Sequence, residues 1–205
     1  KRLVYEEGRV KMADLTKALA QDYEGYETLR QTLLNRAPKY GNDDDYADDV
    51  ARWLSRAWTV MFWGRVTPDT RRKYRAGYLS WNYWIAYADI LPASPDGRTK
   101  GKFLSNALCP SNGADRNGPT ANVNSVGKVL GGKAPDGHGD WGDYLNVLPN
   151  GGSHTMTFSP SLVRDPEHKQ KFISFLRGYV ENGGTALQIN MLDADMLRDA
   201  QQHPE

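Results

Sequence analysis

Residues 165–202 read DPEHKQKFISFLRGYVENGGTALQINMLDADMLRDAQQ, and their periodicity changes twice. Phe172, Phe175, Leu176, Tyr179 and Val180 recur at three- and four-residue steps, the spacing of one helical face. Asp165 suits the N-cap and Pro166 the first helical position, while Gly183 or Gly184 suits the C-terminal stop. A strand over about 185–191 follows, then a short helix over about 194–202. Helix, strand and helix in immediate succession predict an α/β chain.

Working outward, 153–158 has the alternation of a short strand, and 120–129 is a second candidate. Upstream, Leu15, Leu19, Tyr23, Tyr26, Leu29 and Leu33 place a helix over 12–35, ended by Pro38, Gly41 and Asn42. Tyr46, Val50, Trp53, Leu54, Trp58 and Met61 place a second helix over about 45–63. Over 81–87, Trp81, Tyr83, Ile85 and Tyr87 alternate with Asn82, Trp84 and Ala86, which reads as a strand apolar on both faces. The region 93–152 is rich in Gly, Pro, Asn and Asp. Loops of that length belong to sites or wrap a partner segment.

The chain has 205 residues, 39% hydrophobic and 25% charged, with a formal net charge of +1. A balanced charge without a basic arm argues against nucleic acid or a membrane surface as partner. No apolar run is long enough to span a bilayer and no signal peptide shows, so a cytoplasmic location is expected. The sole cysteine, Cys109, has no disulfide partner within the chain. The chain opens on KRLVYEEGR without Met, and both ends are expected to be cuts within a longer polypeptide.

Familiar catalytic patterns are missing: no phosphate loop, no nucleophile-elbow serine, no histidine pair spaced for metal, no paired cysteines. His138, His154, His168 and His203 are scattered and read as surface or hydrogen-bonding residues rather than ligands, so no metal is expected. Asp43, Asp44 and Asp45 can suit a hard cation, but an Asx turn and a helix N-terminus account for them better. Cys109 reads as a buried or idle thiol. The aromatic stretch is read as core, or as the lining of a pocket for a small organic molecule with Ser80 and Asn82 beside it.

Three stretches in order, APKYGNDDDYAD (37–48), ASPDGRTKGKFLSNALCPSNGADRNGPTA (93–121) and NGGTALQINMLDADMLRDAQQHPE (182–205), give the chain its likeness. Together they resemble the C-terminal third of a glycyl radical enzyme of the pyruvate formate-lyase-like type. DAQQHPE is more similar to the diol dehydratase and decarboxylase branch than to pyruvate formate-lyase itself.

That resemblance implies an α/β fold, here the C-terminal part of a ten-stranded barrel of two half-barrels with helices outside. Residues 1–205 would form the C-terminal portion of the barrel domain, the glycine radical domain beginning within about 183–205. In the family a cysteine thiyl abstracts hydrogen from the substrate, after an S-adenosylmethionine iron–sulfur activase has installed a radical on a glycine. Shielding such radicals from water and oxygen is what the barrel is for. No cofactor is expected to bind this chain directly.

Neither radical residue has a match here. Cys109 lies outside the family's Gly-Cys loop, and Gly183 and Gly184 precede the last strand. The catalytic residues in this chain are therefore none, and the chain alone is expected to be inactive. Its function is that of a fragment of a radical lyase cleaving a C–O or C–C bond. The alternatives are a non-catalytic ligand- or partner-binding domain, or one chain of a split enzyme.

The implied partners are the rest of the parent polypeptide, the activating enzyme and a second copy in a homodimer. Trp81, Asn82 and Tyr83 are the implied substrate-pocket candidates, and Gln188 and Asn190 the support for the glycine loop. Asp96, Arg98, Asp115, Arg116 and Asn117 are available to tie loops to the barrel. The substrate stays open, because GGSHTMTFSP (151–160) and the insertion GKAPDGHGDWGDYLNVLPN (132–150) depart from the dehydratases.

Overall fold

A computed structural model describes residues 1–131 and 148–203; His138, most of the 132–150 insertion and the last two residues lie outside them. The N-terminal part, after a short π-helical turn at Arg2–Glu6, is helical: α1 (Met12–Ala20), α2 (Glu27–Arg36) and α3 (Asp45–Phe62). A single turn α4 (Tyr83–Ala86) and the helix α5 (Gly118–Leu130) follow. The C-terminal part is β1 (Ser153–Phe158), α6 (Ser161–Arg164), α7 (Pro166–Glu181), β2 (Ala186–Met191) and α8 (Ala194–Gln202).

The C-terminal stretch folds as its sequence predicts. The Asp165 carboxylate accepts the His168 N–H at 2.9 Å and Pro166 opens α7. Gly183 closes α7 with φ +92°, and a Cβ there would lie 2.7 Å from the Gly131 Cα, so only glycine fits. The chain then returns as β2 alongside β1 in parallel, Ser153 opposite Ala186 and Phe158 opposite Met191. A helix-containing crossover is what two parallel neighbours require.

Two apolar cores result. Leu3, Val10, Leu15, Ala18, Tyr23, Leu33 and Ala93 hold the N-terminal helices together. Val123, Val126, Leu130, Met156 and Tyr179 pack α5 and α7 onto one face of the β1–β2 sheet. Helices thus cover one sheet face, and the other carries Thr155, Thr157, Gln188 and Asn190.

Three expectations change. The 12–35 helix is two helices, because Asp22, Tyr23 and Gly25 take positive φ and Tyr23 turns inward, its hydroxyl donating to the Ser94 carbonyl at 2.7 Å. The 120–129 stretch is helical rather than extended: its valines at 123, 126 and 129 are spaced by three, Pro119 stands in the first turn, and that stripe is what is buried. The 81–87 stretch is a turn followed by α4, since Tyr83 N–H bonds back to the Ser80 carbonyl and Tyr87 N–H to the Tyr83 carbonyl. Its bulky residues served a helical i,i+4 contact, Tyr83 with Tyr87 at 5.7 Å, that also satisfies a period of two.

The loops are tied mainly through backbone carbonyls. Arg98 donates to the carbonyls of Thr99 and Lys102, both at 3.1 Å, and to that of Pro92. Asn42 is the hub of the other loop: its side-chain oxygen accepts the N–H groups of Arg116 (2.7 Å) and Asn117 (3.1 Å), and its amide donates to the Ala114 carbonyl at 2.7 Å. The Asp115 carboxylate accepts from the Asn122 amide at 2.9 Å. No helix among the described residues is long and apolar enough to cross a membrane.

Candidate functional site

The site grows from the open face of the sheet. Residues 76–78 run beside β1: Asn150 N–H bonds the Ala76 carbonyl, Tyr78 N–H the Gly151 carbonyl, and Ser153 N–H the Tyr78 carbonyl. Tyr78 and Gly152 form a parallel bridge. The chain therefore crosses as a third extended segment and delivers Ser80, Trp81, Asn82 and Tyr83 at its carboxyl end. In parallel sheets that end is where ligands bind.

Trp81 holds φ +47°, a left-handed conformation unusual for a bulky residue, and its side chain is 73% exposed. Asn82 precedes α4, and Tyr83 stands exposed beside Tyr87. Behind them the Ser80 hydroxyl bonds the side-chain oxygen of Asn106 and accepts the Ala107 N–H at 3.1 Å. The Asn106 amide in turn reaches the Thr155 hydroxyl at 3.4 Å.

The 3.4 Å contact from the Gln188 amide to the Asn190 side-chain oxygen joins the two residues on β2, whose partners across the ladder are Thr155 and Thr157. The structure thus gathers Ser80, Asn106, Thr155, Gln188 and Asn190 as neutral hydrogen-bonding groups on or beside one sheet surface, with the exposed Trp81 and Tyr83 following Ser80. Asn106 and Thr155 were not singled out in the sequence; their signal was position, Asn106 in the loop SNALC and Thr155 at an alternate position of a strand.

Cys109 is half-buried. Its sulfur accepts the Thr155 N–H at 3.2 Å, and burial pushes its thiol pKa upward, against nucleophilic or thiolate chemistry. The acidic cluster is satisfied by an internal cation: Lys128 Nζ lies 2.7 Å from Asp43, 2.7 Å from Asp45 and 3.0 Å from Asp48. Asp44 caps α3 by accepting the Tyr46 N–H. Among the described residues no group of three or more His, Cys, Asp or Glu is arranged to hold a metal ion.

His154 departs from the surface reading. It is wholly buried on the helix-covered face, 5.9 Å from the Tyr179 ring, and neither ring nitrogen has a hydrogen-bond partner among the described residues. Burial lowers its pKa to about 4, so the ring is neutral. His168 and His203 are exposed near the first turn of α7 and the end of α8.

This arrangement can bind and orient hydroxyl or carboxylate groups, and among the described residues no charged side chain hydrogen-bonds to it. The family described as pyruvate formate lyase-like matches residues 1–88, and that described as glycine radical matches residues 143–205. The chain belongs to the glycyl radical enzyme family. It is 33% identical over 202 residues to trans-4-hydroxy-L-proline dehydratase of Clostridioides difficile, covering 98% of this chain and 24% of the relative. It is 34% identical over 185 residues to indoleacetate decarboxylase of Tractidigestivibacter scatoligenes, covering 88% and 19%.

Among solved structures, hydroxyproline dehydratase from Clostridioides difficile with substrate bound superposes with a TM-score of 0.83 at 32% identity, covering 98% of this chain and 23% of that one. The structure on 1,2-propanediol dehydration in Roseburia inulinivorans gives 0.82 at 30%, covering 100% and 25%. The chain spans about a quarter of the length of these relatives. Its mixed helices and parallel strands are part of the family's α/β barrel.

Proposed function

We propose that this chain forms part of the substrate-facing wall of a glycyl radical lyase of dehydratase or decarboxylase type, cleaving a C–O or C–C bond of a small organic molecule. The observation that carries the reading is the open sheet face, where Thr155, Thr157, Gln188 and Asn190 stand opposite the helix-covered side. A strand buried on both faces would be apolar throughout. Polar residues on the uncovered face suit a wet or ligand-filled interior. Radical abstraction asks a wall to orient substrate and exclude competing hydrogen donors, which neutral hydrogen-bonding groups flanked by aromatic rings do.

No residue of this chain takes the thiyl or glycyl role in this reading. Cys109 is half-buried with its sulfur bonded to the β1 backbone at Thr155, outside any Gly-Cys loop, and Gly183 is a helix cap. Both radical positions, and the docking of an S-adenosylmethionine-dependent iron–sulfur activase, are assigned to the whole polypeptide. Trp81, Asn82 and Tyr83 contribute to the pocket, and Gln188 and Asn190 steady the loop that carries the glycine.

The test is an anaerobic assay of the natural gene product with its activase, against small diols, hydroxylated amino acids and arylacetates. Turnover of one class that is lost on aeration supports the reading. Turnover that proceeds in air without an activase contradicts it.

A further inference from the structure

Away from the polar sheet face, the SPDGR turn (94–98), the loop 101–103, the loop 111–116 and helix α2 enclose a pocket of about 480 Å³. Its charged lining is uneven: Arg30, Lys39, Arg98, Lys102 and Arg116 face a single carboxylate, that of Asp96. Arg30 is answered by Glu27 at 3.0 Å. Asp96 is already engaged, its carboxylate accepting from the Ser94 hydroxyl at 2.5 Å and from the Arg98 N–H at 3.3 Å.

The other four cations make no ion pair among the described residues. Lys39 donates to the Asp96 carbonyl at 2.9 Å, and Arg116 to the Asn35 side-chain oxygen at 2.9 Å and the Gly113 carbonyl at 3.4 Å. Arg98 is held by backbone carbonyls, as described above. These contacts fix where the charges sit without neutralising them. A chain whose net charge is only +1 therefore concentrates four unpaired positive charges in one concavity.

We propose that this pocket binds a small oxyanion carrying two or more negative charges, a phosphorylated or polycarboxylate compound. A concave cluster of like charges attracts an anion, and charge-assisted hydrogen bonds to its oxygens are stronger than neutral ones. The cavity exceeds what one water-sized ion fills, so a molecule of several heavy atoms is the better fit. Burial lowers the pKa of Lys39, the Asp96 carboxylate opposes that and Arg116 adds to it, and a bound anion would favour the ammonium further.

The experiment is calorimetric titration of the natural gene product, unactivated, with pyrophosphate in one arm and citrate in the other. It needs no radical and so stands or falls apart from the lyase reading. Saturable one-to-one binding in either arm is expected, the responding arm telling phosphate from carboxylate chemistry. Lys102→Gln and Arg116→Gln should each weaken it about tenfold, the cost of one charge-assisted contact. Lys100→Gln, an exposed lysine that does not line the pocket, should leave it unchanged. Lys102 makes no side-chain hydrogen bond among the described residues, so its variant reports on binding even where Arg116→Gln disturbs the loop. No saturable binding in both arms, or binding that Lys102→Gln leaves intact, overturns the proposal.

Discussion

Lys128 Nζ lies 3.0 Å from Oδ2 of Asp48, a carboxylate with no exposure to solvent, and ties α5 to the first turn of α3. Removing one member of such a pair strands the other charge. Lys128→Met should lower unfolding stability by about 3 kcal/mol. Adding Asp48→Asn in the same chain should recover part of it, so the two changes are non-additive. Urea midpoints of the single and double variants check this.

Lys128 also sets an alkaline limit. Its three carboxylate partners raise its pKa above 10.5, so the stabilisation is complete below that value and is lost as pH rises through the higher folded pKa. Thermal midpoints should fall above about pH 10.5 in the natural chain and fall less in Lys128→Met.

The acid side is governed by His154. Its folded pKa of about 4 lies below the ordinary 6.5, so the unfolded chain takes up a proton that the folded chain refuses. The His154 contribution is constant above pH 6.5, and stability declines as pH falls toward 4, by roughly 3 kcal/mol in all. His154→Leu should flatten that slope, read from denaturation midpoints at pH 7.5 and 4.5.

Gly183 and Gly131 touch where α5 and α7 end. Gly183→Ala places a methyl group 2.7 Å from the Gly131 Cα at φ +92°. A loss of about 2 kcal/mol is expected, because the obstacle is backbone and cannot swing aside.

Trp81→Gly tests the proposed pocket role apart from stability. Its φ of +47° is strained for tryptophan and free for glycine, and its side chain is largely exposed. Trp81→Gly should leave the thermal midpoint unchanged or higher while kcat/KM falls about tenfold or more, as lost packing on a substrate predicts. A parallel fall of both would assign Trp81 to structure alone.

How much the sequence disclosed depended on whether local signals agreed. At α7 and β2, cap, proline, periodicity and glycine stop all pointed the same way, and the elements fell where expected. At 120–129 valine's strand preference opposed a three-residue spacing, and burial of that stripe decided for helix. At 81–87 the true extended segment lay just upstream, at 76–78, and is held by backbone bonds to 150–153 that no side-chain pattern encodes. The tyrosine at 23 hid a helix break for the same reason, its hydroxyl partner lying 71 residues away at Ser94. The candidates Trp81, Asn82, Tyr83, Gln188 and Asn190 come from the family resemblance. The Ser80–Asn106–Thr155 link was not, because it joins three segments through space.

The most direct measurement is the electron spin resonance spectrum of the natural gene product after anaerobic activation with S-adenosylmethionine and an iron–sulfur activase. A glycyl radical retains one α-hydrogen, so a doublet that disappears on exposure to air, together with turnover, is the predicted result. An unsplit spectrum or no radical signal, in a preparation that nonetheless turns over its substrate, would contradict the account.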